Sequence, residues 1–138
     1  MDLYAEHILD HFRSPRHKGE MEQATATHSE LNPSCGDELT VQLKIDDGVI
    51  TNILWDGTGC AISQAGMSML AEEIIGKSVL EVNGMHGKIM LGFLGVPVGP
   101  RRMKCGLLAL HTLKNALHLQ HHEQLQGWPE TMEGVAGQ

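Results

Sequence analysis

ELTVQLKIDDGVITNILW, residues 38–55, decides the fold. From Glu38 to Asp46 polar and apolar residues alternate without a fault. Leu39, Val41, Leu43 and Ile45 face one way and Glu38, Thr40, Gln42 and Lys44 the other, which is the two-residue period of a half-buried strand. Asp46-Asp47-Gly48 has turn chemistry, and Val49, Thr51, Ile53 and Trp55 then share one face of a second strand, so the pair predicts an antiparallel hairpin.

On the N-terminal side, Tyr4 to Phe12 places Ala5, Ile8, Leu9 and Phe12 at helical spacing, and Ser14-Pro15 ends that helix. Residues 16 to 34 show little periodicity beyond a short strand expected at Ala24 to His28. After the hairpin, Gly57 and Gly59 end the strand, and Ala61 to Ile75 aligns Ile62, Gly66, Met69, Leu70 and Ile74 on one helical face, with Gly76 as cap. Ser78 and Glu81 have capping-box spacing for a short helix that Asn83-Gly84 stops. Residues 84 to 100 contain five glycines and two prolines and predict a loop or broken helix. The longest helix follows from about Arg101 to His122, carrying Gly106, Leu110, Leu113 and Leu117. Gly127-Trp128-Pro129 is expected to end order, giving a single domain over residues 1–126 and a mobile tail over 127–138. The class is α+β: a small, mainly antiparallel, three-stranded sheet with helices packed on one face.

A chain of 138 residues, 41% hydrophobic and 20% charged, suits one globular core. The uncharged segment Ile89 to Pro100 falls well short of the roughly 18 apolar residues a membrane span needs, so no membrane association is expected. Asp2 and Glu6 leave no basic region ahead of an apolar one, which argues against a leader and for a cytoplasmic protein. Ten Lys plus Arg against 17 Asp plus Glu, a net charge of -7, exclude a broad nucleic-acid-binding surface.

Three cysteines, Cys35, Cys60 and Cys105, are an odd number with no CxxC, which argues against a disulfide framework, a zinc ribbon or a redox dithiol. Scattered cytosolic cysteines are ordinarily small core residues, but these three all fall at element boundaries. Cys35 lies in the loop Asn32 to Asp37. Cys60 opens the second helix, where unpaired N–H groups favour a thiolate. Cys105 is in the first turns of the last helix, after Arg101, Arg102 and Lys104, cations that oppose the helix dipole and call for an anion nearby. In an extended segment Cys35 and Asp37 project to the same side, with Gly36 letting the backbone approach. Three thiolates and a carboxylate make four ligands, the number that tetrahedral Zn²⁺ or the outer positions of a [2Fe-2S] cluster require. Either assembly is anionic, and Arg101, Arg102 and Lys104 are placed to offset it.

Other readings compete. A purely structural zinc module leaves those cations without a role, and a hydrolase with Cys35 as nucleophile and a histidine as base leaves Cys60, Cys105 and Asp37 unexplained. His111, His118 and His122 line one stripe of the last helix, read as a solvated face ahead of a second metal site. His7 and His11, one turn apart, are read as surface or partner contacts. Met67, Met69, Met85, Met90 and Met103 are read as gap-filling core or contact residues.

Tyr4 to Gly19 with Asp10-His11-Phe12 and Ser14-Pro15-Arg16, Cys35-Gly36-Asp37, Gly57 to Ser63 and Lys104-Cys105 occur in the order found in the U-type iron-sulfur assembly proteins: IscU, SufU and the N-terminal domain of NifU. The chain resembles that family over about residues 3 to 119. The resemblance implies that Cys35, Asp37, Cys60 and Cys105 bind Zn²⁺, Fe²⁺ or a transient [2Fe-2S] cluster. It further implies that Cys35 or Cys105 accepts sulfane sulfur from a cysteine desulfurase, and that apo iron-sulfur proteins or carriers are the recipients. Such a protein is a scaffold and sulfur acceptor rather than an independent turnover enzyme. Asn32-Pro33-Ser34-Cys35, Cys60 to Ser63 and Lys104 resemble SufU, which implies the alternative of a zinc-dependent sulfurtransferase, whereas the 45-residue gap from Cys60 to Cys105 resembles IscU. Val96 to Arg102 stands where IscU carries LPPVK, which argues against a specialised Hsp70 partner.

Overall fold

The computed structural model describes residues 3–33, 36–133 and 135. Its centre is the expected hairpin. Strand β2, Asp37–Asp46, pairs antiparallel with β3, Val49–Thr58, through a turn in which Asp47 and Gly48 both have positive φ (54° and 75°), as a two-residue turn matched to strand twist requires. Leu39, Val41 and Leu43 are fully buried. The inward face expected for β3 is only half right, because Ile50, Ile53 and Trp55 are buried while Thr51 is exposed. The register shifts between Lys44 and Ile45, and a bulge restarts the inward series one residue out of step. Thr51 Oγ1 donates instead to the Lys44 carbonyl and the Asp46 carboxylate, at 3.3 and 3.1 Å.

Strand β1, Ala26–Asn32, pairs along the other side of β2, so the sheet order is β1-β2-β3, all antiparallel. It begins near the expected short strand but runs on to Asn32, which lies opposite Asp37. Its inward residues are Ala26, His28, Glu30 and Asn32, and a hydrophobic count does not detect an inward face that is mostly polar.

Helices α2, Ala61–Ile74, and α5, Met103–Gln120, supply most of the cover, with α1, Leu3–Arg13, on α2. In α1 the buried face is rotated from the expected one: Ile8 and His11 are buried, and Phe12 is 43% exposed. The capping box at Ser78 opens α3, Val79–Asn83, with Ser78 Oγ accepting the Glu81 N–H. Residues 84 to 100 are more ordered than their glycines suggest. Gly87–Leu94 forms α4, capped by Gly95 at φ +70°, and Met90 and Leu94 pack against Gly66 of α2. Pro100–Arg102 is a single 3₁₀ turn leading into α5. Order does not end at Gly127: Trp128–Thr131 forms a helical turn, α6, and Thr131 and Val135 are buried. The five methionines singled out above are all buried. No helix among the described residues is long and apolar enough to cross a membrane.

Candidate metal centre

Three element starts converge at one end of the sheet. Asp37 is the first residue of β2 and wholly buried. The chain enters it through a turn rather than the extended segment expected, since Gly36 has φ +71° and its N–H donates to the Asn32 carbonyl at 2.9 Å. Cys35, the fourth expected ligand, lies outside the described residues.

Cys60 is the N-cap of α2, immediately after β3. Its backbone N–H donates to Asp37 Oδ1 at 2.8 Å, satisfying one of the donors a helix start leaves unpaired. Its thiol is 4.0 Å from Asp37 Oδ2 and 3.8 Å from Ser63 Oγ. Gly59, at φ +131°, makes this approach feasible: a Cβ there would lie 2.8 Å from the Asp37 Cα and would meet its carboxylate.

Cys105 sits in the first turn of α5 and is 1% exposed. Its sulfur accepts a hydrogen bond from Asn32 Nδ2 at 3.6 Å. One ligand atom from each of Asp37, Cys60 and Cys105 lies within 4.8 Å of the others. In a tetrahedral zinc site an oxygen and a sulfur ligand stand about 3.6 Å apart. The 4.0 Å between Cys60 Sγ and Asp37 Oδ2 needs only a small contraction to close on such an ion. The donor chemistry fits, with two thiols and a carboxylate gathered where water is largely excluded.

Sequence reasoning missed Asn32 and Ser63 as second-layer contacts to the thiols. Asn32 is 1% exposed, and its Oδ1 is buried with no hydrogen-bond partner among the described residues. The available signal was a strand ending on a buried-side asparagine just before the Cys35 loop. Arg101, Arg102 and Lys104 are all exposed. Lys104 directs its ammonium over the Trp128 ring, 5.5 Å from the centroid, a contact that no sequence spacing announced.

The expected solvated histidine face holds for His118 and His122, the latter beyond the end of α5 at Gln120, but not for His111. His111 is buried, stacked on Trp128 at 4.1 Å, with Nδ1 2.6 Å from Thr131 Oγ1 and Nε2 3.6 Å from Glu30. Burial pushes its pKa below the ordinary value, against the pull of Glu30. His118 is tied to the Gln124 carbonyl at 3.0 Å, and His122 is exposed.

Residues 3–126 match the family described as NifU-like N terminal domain. The chain belongs to that family. Over 131 residues it is 38% identical to the iron-sulfur cluster assembly scaffold protein IscU of Thermotoga maritima, covering 83% of this chain and 92% of that one. It is 29% identical over 132 residues to the zinc-dependent sulfurtransferase SufU of Bacillus subtilis, covering 83% of this chain and 89% of that one. Among solved structures, a chain from Fervidobacterium islandicum assigned as an iron-sulfur cluster assembly scaffold of the SUF system superposes with a TM-score of 0.72 at 35% identity, covering 81% of this chain and 94% of that one. A NifU-like N-terminal domain from Brucella abortus has the same fold, with a TM-score of 0.72 at 22% identity over 88% and 96% of the two chains. These solved chains share the α+β arrangement described above.

Proposed function

We propose that this chain is an iron-sulfur cluster assembly scaffold whose centre is Asp37, Cys60 and Cys105, completed by Cys35. The observation that carries the reading is the convergence of a carboxylate and two thiols from three separate elements within 4.8 Å. A zinc ion held there when no cluster is being built would keep the thiols deprotonated. Iron and sulfide are the cargo. Sulfur arrives by attack of the Cys35 or Cys105 thiolate on the outer sulfur of a desulfurase persulfide, which leaves the desulfurase thiolate and moves one sulfane sulfur with no net oxidation; an external thiol or reduced ferredoxin then supplies the two electrons that turn each sulfane sulfur into sulfide. Arg101 and Arg102, exposed at the entrance to α5, and Lys104 beside them offset the anionic centre, and apo iron-sulfur proteins or carriers receive the cluster. The net charge of -7 supports action away from nucleic acid, and the cytoplasm is the compartment this reading assigns.

The second reading, a zinc-dependent sulfurtransferase that relays sulfur without building the cluster, is supported by the Bacillus subtilis relative. One experiment separates the two. The protein is incubated without oxygen with ferrous iron, cysteine and a cysteine desulfurase, sampled for mass, then given a thiol reductant and mixed with an apo-ferredoxin. A scaffold develops the charge-transfer absorption of a [2Fe-2S] cluster and passes it on, and Cys60→Ser abolishes both. A sulfurtransferase acquires persulfide mass and retains zinc without developing that absorption. Metal binding unchanged in Cys60→Ser would reject a centre shared by these residues.

A further inference from the structure

About 18 Å along α2 from Cys60, two histidines of α1 and a carboxylate of α2 line one surface cleft. His7 and His11 lie one turn apart on the same helical face, the spacing at which two imidazoles reach a single ion. His11 is 4% exposed, and its Nδ1 is 2.7 Å from Ser68 Oγ, a hydroxyl that also accepts the Arg16 N–H at 2.8 Å. With Nδ1–H donating to Ser68, the Nε2 lone pair points into a surface cleft of about 120 Å³ lined by His7, His11, Met69, Glu72, Glu73 and Phe93. A hydrogen bond that fixes the tautomer through the far nitrogen is the usual support of a metal-ligating histidine.

Glu72 Oε1 lies 3.6 Å from His11 Nε2. That is long for a hydrogen bond but close to the roughly 3.3 Å separating two ligands of a tetrahedral ion with bonds of about 2.0–2.1 Å. The His7 ring stands edge-on to His11 with centroids 4.7 Å apart, and it is exposed, so it can turn a nitrogen into the cleft. Burial holds His11 below the ordinary histidine pKa and so keeps it neutral, the form that ligates.

We propose that His7, His11 and Glu72 form a second divalent-cation site, distinct from the thiol centre, which takes a borderline ion such as Zn²⁺, Co²⁺ or Ni²⁺ and staples α1 to α2. Two imidazoles and a carboxylate favour this class over Mg²⁺ or Ca²⁺, which prefer all-oxygen shells. Glu73, on the rim of the same cleft, is the adjacent oxygen donor.

The test is an anaerobic Co²⁺ titration of the full chain, followed by absorption and calorimetry. The expected result is two equivalents, one with sulfur-to-cobalt charge-transfer absorption and one with ligand-field bands alone. His7→Ala and Glu72→Gln, both at exposed positions, should each weaken only the second equivalent, by about tenfold or more. Neither should change the charge-transfer equivalent or the metal-free Tm, while the additional rise in Tm produced by the second equivalent disappears. A single equivalent that carries the charge-transfer band, or a ligand-field equivalent that both substitutions leave intact, for example on His121 and His122, overturns the proposal. Absence of the charge-transfer band with the second equivalent retained counts instead against the scaffold centre.

Discussion

Gly59 permits a contact that a residue with a side chain would block. Its φ of +131° is a conformation L residues rarely adopt, and the space a Cβ would fill belongs to Asp37. Gly59→Ala should therefore combine backbone strain of about 1–3 kcal/mol with displacement of the Asp37 carboxylate. The expected outcome is a Tm lower by about 5 °C or more in chelator, together with weakened zinc binding in a competition assay. Gly36→Ala is the control, because Gly36 also has positive φ but, among the described residues, nothing beyond its chain neighbours lies within 4 Å of its Cβ position. It should show the strain without the second effect on Asp37. Asn32 presents the opposite balance. One of its amide hydrogens is given to Cys105 Sγ, and its buried Oδ1 has no partner among the described residues. Asn32→Ala removes a favourable contact and an orphaned acceptor together, so stability measured in chelator should change by less than about 1 kcal/mol. Zinc affinity should fall about tenfold, since a donor to a ligating sulfur is lost. A large loss of stability at unchanged affinity would make Asn32 a packing residue only.

Strand β1 and helix α5 meet along a polar seam. Glu30 contacts His28, Asn115 and His111, with Asn115 Nδ2 donating to it at 3.0 Å, and two residues further along the strand Asn32 reaches Cys105. Because a one-residue slip would turn every β1 side chain to the other face, these paired polar groups hold the register that delivers Asn32 to Cys105. The α6 turn closes the far end of the seam through Thr131 and Trp128 on His111, with Gln126 bonded to Asn115. A chain ending at Gln126 should therefore be destabilised by about 2–4 kcal/mol in urea unfolding, because a buried imidazole loses both its hydroxyl partner and its aromatic cover. An unchanged midpoint would make residues 127–138 the appendage their composition suggests. The same elements show what was legible. The β2–β3 hairpin and the Ser78 capping box were readable because strand period and cap chemistry are local. Strand β1 was mostly hidden because its inward residues are polar, and α4 because its glycines serve close packing and capping rather than a loop. Boundary placement exposed Cys60, Cys105 and Asp37, but the buried roles of His11 and His111 depend on tertiary partners that spacing does not reveal.

One continuous apolar core runs from the sheet through α2 and α5, and a buried histidine sits on each flank of it: His11 between α1 and α2, and His111 between β1, α5 and α6. For both, burial is the largest cause of a pKa below the ordinary 6.5. At His11 the charges of Arg16 and His7 add to that shift and Glu72 and Asp10 oppose it. At His111 Glu30 opposes it most, with His28 lowering and Glu130 raising. The sign follows from which state binds more protons. Between the folded pKa and 6.5 the unfolded chain is protonated at these positions and the folded chain is not, so acid favours unfolding. Stability from these two groups is complete above about pH 7.5 and falls as pH drops through 6.5 towards the folded values. Asp10, held below its usual 3.8 by the hydrogen bond from Arg16, loses its charge only at more acid pH, so its effect falls outside this window. The measurement is the urea midpoint against pH in chelator, because a bound metal would add the proton dependence of its thiolates to the curve. The midpoint should be level above about pH 7.5 and decline steadily to about pH 5, and His111→Gln should flatten part of that decline while lowering stability at every pH. A midpoint independent of pH over that range would mean that these imidazoles gain their protons as readily in the folded chain as in the unfolded one.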